Sequence, residues 1–372
     1  MDQSDILGPS EVMLPGTRVG LFVLVALLTV LCALVLGSAL LVRLARRRRG
    51  VRKRPVVTVA SAIVLVALLV LTWTMRPPPF FVPEFPALPR LFPESAFFYR
   101  PVGDLPVHER SDEMIEALGA LGLNPAASSQ VRDGMVSGKP FNLVDDSTPR
   151  RDVDLTFERN SHPGPYPITE PAYIQSMPNY GIDEHYIGID LERREMWELW
   201  HLRRDFGVWR AGSGKLWDLD SLEFGVGGTT ASHLPMQPMD FTYEEVASGS
   251  VGHVIFAGSP VVSGEHVWPA QASDGPSDDP DAPPMGTWLR LRDDVDLSGL
   301  GPQARVIAEA IRDHGVVIGD TGGAFSLAGT PDARWDDTDL GTLRTLDTDD
   351  LEVVDPAAIK VSETSMEARQ PG

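Results

Sequence analysis

Carboxylates are the chemically active groups this chain offers in quantity. Asp218 and Asp220 in WDLDS, Glu244 and Glu245 in YEEV, and Asp320 stand beside strand-like or turn-like positions. Two carboxyl groups flanking a sugar, with aromatic rings to stack on it, form the arrangement that hydrolyses a glycosidic bond. Rings are close by in sequence: Trp197, Trp200, Trp209, Trp217, Trp268 and Trp288 are six of the chain's eight tryptophans. His185 and His253 fall on strand-like, half-buried runs, and burial moves a pKa into a working range. The expected catalytic residues are therefore Asp218, Glu245, His253 and His185. The competing use of the same residues is structural, since a sheet core consumes tryptophan and a chain with 52 acidic residues brings some carboxylates together by chance.

Other site types lack their residues. GSGK at 212–215 resembles part of a phosphate-binding loop, but Trp209 and Leu216 hold the positions where that loop needs Gly and Ser or Thr. It reads as a glycine turn between strands, and no nucleotide is expected. No HExxH and no histidine pair at i, i+4 offers a helix-borne zinc site. A metal assembled in space from His185, His253, His266 and aspartates stays open. No G-x-S-x-G elbow is present, and Cys32, the one cysteine, lies inside an apolar run. No cofactor is expected.

The elements that must position these groups are mostly strands. Runs 185–191 (HYIGIDL) and 194–202 (REMWELWHL) alternate in the manner of a hairpin about Glu192-Arg193. Further strands are expected over 250–256, 287–291, 316–319 and 324–328. A helix is expected over 302–314, with Pro302 at its first position, Gly315 as its stop, and an apolar face of Val306, Ile307, Ala310 and Ile311. A shorter one, capped by Ser111, is expected over 112–121. The fold class that follows is α+β: a mostly antiparallel, β-rich domain over 164–356 with one or two packed helices. Residues 101–163 read as irregular with some helix, and 357–372 as a flexible tail.

Charge and hydropathy place the chain. Eight of the 32 basic residues fall in the run 43–54. From Pro77 onward there are 22 basic and 49 acidic residues, a net of 22 − 49 = −27. Such a body repels phosphate, so nucleic acid is excluded as its partner. The basic run separates two uncharged apolar stretches, 19–42 and 56–75, each long enough to cross a bilayer as a helix. A short Lys/Arg-rich loop stays cytoplasmic. The expectation is a two-span hairpin with basic loop 43–55 inside, a short leader 1–18 outside, both termini extracytoplasmic, and a plasma-membrane location. Neither span carries a charge, which argues against a transport path. Residues 76–100, with seven prolines between Pro77 and Pro93, read as a semi-rigid stalk whose phenylalanines are too apolar for a free linker.

The blocks HYIGIDLERREMWELW, GVWRAGSGKLWDLDS, YEEVASGSVGHVIFA, PPMGTWLRL, GPQARVIAEAIRDHGVVIGDTGG and RWDDTDLGTL resemble, in order and spacing, an uncharacterised family of secreted and surface-anchored bacterial domains common in GC-rich bacteria. The likeness covers about 164–355 and departs from the family habit over 228–241. It implies a folded, exported domain and brings no reaction with it. The functional expectation is thus a membrane-anchored extracytoplasmic domain that binds or processes a cell-envelope or environmental glycan, a hydrolase if an enzyme. The alternative is a non-enzymatic interaction or sensor module presenting an acidic face to an envelope protein. Membrane lipid is the partner expected of the basic loop.

Overall fold

The computed structural model describes residues 28–30, 81–178, 181 and 183–370. The chain divides into two compact units, 1–80 and 81–372. Of the first, Leu28, Thr29 and Val30 are helical; the rest of the expected spans 19–42 and 56–75, with leader and basic loop, lies outside the described residues. Among the described residues no helix is long and apolar enough to cross a membrane.

The second unit is α+β and mostly sheet. Its main strands are β1 (Asn124–Ala126), β2 (Asn142–Leu143), β3 (Tyr186–Asp190), β4 (Glu195–Trp200), β5 (Ser213–Asp218), β6 (Ile255–Ser259), β7 (Trp288–Leu291), β8 (Val316–Thr321), β9 (Ser326–Ala328) and β10 (Leu351–Val353). Its three longest helices are α1 (Ser111–Leu118), α2 (Tyr243–Ser248) and α3 (Pro302–Asp313). One sheet has six strands in the order β1-β9-β6-β8-β7-β10, and a second has four in the order β5-β4-β3-β2. Among the described residues eight of thirteen strand pairings are antiparallel. The parallel exceptions matter, because β6 and β8 lie side by side in the centre of the larger sheet and run the same way.

Period-two alternation sets the layers. On β6 and β8, Ile255, Ala257, Val316 and Ile318 face a core shared with Met114, Leu118, Ile307 and Ile311 of α1 and α3. The intervening Phe256 and Val317 face a second core, filled from the smaller sheet by Ile187, Ile189, Met196 and Trp217. Helices, large sheet and small sheet therefore stack in that order, and Tyr186, Trp197 and Leu199 on the far side of the small sheet make a third cluster.

The hairpin and the long helix form where the sequence pattern places them, with Gly315 at φ 79° ending α3. The shorter helix begins at Ser111 as its first residue and stops at Gly119, sooner than expected. Two regions differ from expectation. From Val82 the proline-rich segment packs onto the unit instead of standing off it as a stalk: Phe85 and Phe92, too apolar for a free linker, are buried with Phe97 and Phe98. The Phe85 N–H donates to Asp332 Oδ2 at 2.8 Å, while Phe81 stays 79% exposed. The expected flexible tail is also docked. Ile359, Met366 and Ala368 are buried, and the Met366 carbonyl accepts from the Phe97 N–H at 2.8 Å.

Candidate functional site

A cleft of about 420 Å³ opens at the carboxyl ends of the parallel pair β6 and β8, lined among others by Gly258, Asp320, Lys139, Asp183, His185 and Phe256. In sheets with parallel strands, this end is where ligands bind. Asp320 reaches it through a β-bulge. Ala257 pairs with Ile318, but the next residue, Gly258, pairs with Asp320, so Gly319 is an extra residue on β8. Bulges of this kind re-aim a side chain. Gly319 has to be glycine, since a Cβ there would lie 2.3 Å from Cε2 of Phe256.

Asp183 arrives from the other sheet, three residues before β3. It and Glu184 both adopt left-handed backbone, φ 54° and 48°, a conformation that costs a non-glycine residue energy and must be held by its surroundings. Three contacts hold it: the His201 N–H donates to the Asp183 carbonyl at 2.8 Å, the Leu202 N–H donates to the Glu184 carbonyl at 3.1 Å, and Arg203 pairs with the buried Glu184 carboxylate. The Trp200 indole N–H donates to the Asp183 carboxyl. That ring lies against Gly212, where a Cβ would come within 2.2 Å of its Cε3.

Burial raises both acids, and the groups that oppose it differ between them. Protein packed around the Asp320 carboxyl strips its water, and the charges of Asp183 and Asp274 add to the effect, so it is pushed up to about 7; Lys139 and the Thr321 N–H act the other way. Desolvation also raises Asp183, although the residue as a whole keeps solvent contact, but Lys139 and the Trp200 donor favour its ionised form. His185 is 3% exposed, and burial together with the charge of Lys139 keeps its ring neutral. Its Nδ1 has no hydrogen-bond partner.

The four residues expected from sequence do not form one site. His185 lines the cleft. Asp218 ends β5 at the surface, where its Oδ1 accepts the Asp220 N–H at 2.9 Å. Glu245 and His253 do meet, Nε2 to Oε1 at 3.1 Å, but at α2. There Glu245 closes a capping box with Thr242, and His253 Nδ1 contacts the Val254 carbonyl oxygen at 2.8 Å. Neither histidine lies within a strand, since β3 begins at Tyr186 and β6 at Ile255.

The tryptophans follow the structural use weighed against a sugar-stacking face. Trp197, Trp217, Trp268 and Trp288 are buried in the core, and the ring lining the cleft is Phe256. Nor is GSGK a turn. Its last three residues belong to β5; Gly214 leaves room for the Tyr166 ring, and Lys215 Nζ donates to the carbonyls of Phe224 and Val226 at 2.7 and 2.8 Å. Among the described residues no group of three or more His, Cys, Asp and Glu is arranged to hold a metal ion.

Sequence reasoning noted Asp320 as one acid among several and passed over Asp183 and Lys139. One signal was available: a Gly-Asp pair closing an apolar strand that follows a helix. No family model, no curated protein and no solved structure matches this chain.

Proposed function

We propose that the unit from residue 81 onward is a hydrolase acting on a cell-envelope or environmental glycan, with Asp320 as general acid and Asp183 as its ionised partner. One observation carries the reading. In an open cleft, burial holds the proton on Asp320 up to about pH 7, while Asp183 in the same cleft, also raised by burial, has an indole N–H donor that favours its anion alone. Environments that push two carboxyl groups apart in this way divide the acid and base roles between them. Asp320 would give its proton to the glycosidic oxygen as the bond to the leaving sugar breaks. Asp183 would take a proton from the water that attacks the anomeric carbon. Polar groups along the cleft, Asn124, Gln130, Gln175 and Ser326 among them, suit a ligand rich in hydroxyls.

The same proposal places this unit outside the cell as an exported bacterial module. Spans 19–42 and 56–75 hold it in the plasma membrane, loop 43–55 contacts anionic lipid on the cytoplasmic side, and both termini lie outside. Support for the placement is the uncharged length of both stretches and the basic loop between them.

The test uses the full chain in membranes with a panel of neutral and acidic polysaccharides, reading new reducing ends. Asp320→Asn and Asp183→Asn should each lower turnover by about 100-fold or more, with the folded circular dichroism retained. Full activity in both variants, or hydrolysis of no glycan, overturns the reading and leaves the interaction module, which predicts protein partners recovered by crosslinking in the membrane.

A further inference from the structure

Lys139 stands on the cleft wall as a fixed charge. Gly138 before it has φ 117°, and a Cβ there would lie 2.7 Å from the Gly329 carbonyl oxygen, so the backbone is pressed against that strand end. The Lys139 N–H donates to the same oxygen at 2.9 Å. The side chain is 12% exposed; its Nζ lies 3.3 Å from Asp240 Oδ1 and 4.2 Å from the centre of the Phe256 ring. Asp240 is fully buried, and its other oxygen, Oδ2, has no hydrogen-bond partner.

We propose that Lys139 is a positioning residue for the acid–base pair: held by Asp240 and the face of Phe256 on the wall that Asp183 and Asp320 share, its ammonium keeps the base ionised in the pH range where the acid works. The proposal rests on the reading of Asp183 and Asp320 given above. The charged groups acting with Lys139 are Asp183 from the approach to β3, Asp320 from β8 and Asp240 from the turn before α2, with Arg132, Asp133, Asp337 and Arg344 lining the same cleft, and it also repels a proton from His185. Asp274 acts on both cleft acids as a like charge. Asp240, 3.3 Å from Nζ, holds the lysine. Without Lys139, Asp183 and Asp320 would lose the cation that favours their ionisation, since Arg132 and Arg344 of the same cleft are held by Asp337 and Asn124. Both acids would then stay protonated to higher pH, and the base would be lost where the acid is active.

The experiment follows the Trp200 indole N–H by NMR against pH in the full chain, with tryptophan labelled with nitrogen-15 and Trp200→Phe identifying the resonance. The wild type should show two steps, a lower one from Asp183 and an upper one near pH 7 that Asp320→Asn abolishes. Lys139→Met should raise the upper step by about one pH unit or more and move the lower one the same way, while Lys139→Arg leaves both near their wild-type positions. Should the single variant not fold, Lys139→Met/Asp240→Asn removes the buried pair whole and should raise the same steps. Unchanged steps, with the other seven indole resonances in place, overturn the proposal. The titration needs no turnover, so shifted steps without hydrolysis would fault the glycan reading alone, and hydrolysis with unmoved steps would fault Lys139 alone.

Discussion

Asp183 and Asp320 reach one cleft from two different sheets, the first at the entry to β3 and the second at a bulge on β8. Their meeting therefore depends on how the two sheets pack, through the core that Phe256 and Val317 share with Ile187 and Ile189. The expected consequence is a bell-shaped dependence of kcat/KM on pH. Activity should fall as pH rises through about 7, where Asp320 loses its proton, and fall again in acid, where Asp183 gains one. Asp274→Asn removes a like charge that helps hold the proton on Asp320, so the alkaline limb should move to lower pH. A limb that stays in place in that variant would show that another group controls it.

Trp200 offers a second prediction, because its donor favours the anion of Asp183 alone. Trp200→Phe keeps most of the ring and removes the N–H. The loss of one hydrogen bond to a charged group, about 2 kcal/mol, should lower kcat/KM by about tenfold or more and move the acidic limb to higher pH. Gly212→Ala should do the same from a distance, since the added methyl would strike the ring. Pre-steady-state and steady-state rates measured beside a thermal melt distinguish this from simple unfolding.

What was legible in sequence was whatever is local. The hairpin of β3 and β4 and the helix α3 are written in alternation and in i, i+4 spacing within one segment, and they form there. The cleft is written across three segments, around residues 139, 183 and 320, that meet only through parallel pairing of β6 with β8 and stacking of two sheets. Periodicity has no way to report that. The bulge at Gly319 hides Asp320 further, since strict alternation would place it on the other face of β8. Tryptophan density reports the core and not a sugar face: large rings fill the space between sheets, as Trp217 and Trp288 do. His253 and Glu245 were each legible as a polar residue beside a half-buried run, but their meeting was not, and its geometry serves a helix cap.

Lys215 tests the reading of GSGK as packing. Its ammonium is buried within β5, 4.6 Å from the Trp217 ring centre, and satisfies carbonyls on the loop that follows. Burial lowers it to about 8, with Glu198 opposing the effect. Lys215→Met strands the buried Phe224 carbonyl and should cost about 2 kcal/mol of stability, read as a lower Tm. Added nucleotide should leave the Tm of both proteins unmoved; a rise in the wild type alone would restore a phosphate site.

The pair His253–Glu245 predicts a window of pH in which stability is greatest. Burial opposes the charge on His253, but Glu245, its hydrogen bond and the Val254 carbonyl outweigh it, so the ring holds its proton above its usual 6.5. Burial likewise opposes ionisation of Glu245, and the charge and hydrogen bond of His253 with the Thr242 donors bring it below its usual 4.5. A histidine raised on folding contributes fully below about 6.5 and loses its contribution as pH climbs through the raised value. A glutamate lowered on folding contributes fully above about 4.5 and loses its contribution as pH falls through the lowered one. Both are complete only between those two values. His253→Gln should therefore destabilise the protein most near pH 5.5, by about 1–2 kcal/mol through the loosened cap of α2, and progressively less on either side. Chemical denaturation of wild type and variant at pH 4, 5.5 and 8 measures the difference directly; a gap that is the same at all three would mean the pair does not titrate as an ion pair. At pH 5.5 the folded variant should hydrolyse at the wild-type rate, since neither residue lines the cleft.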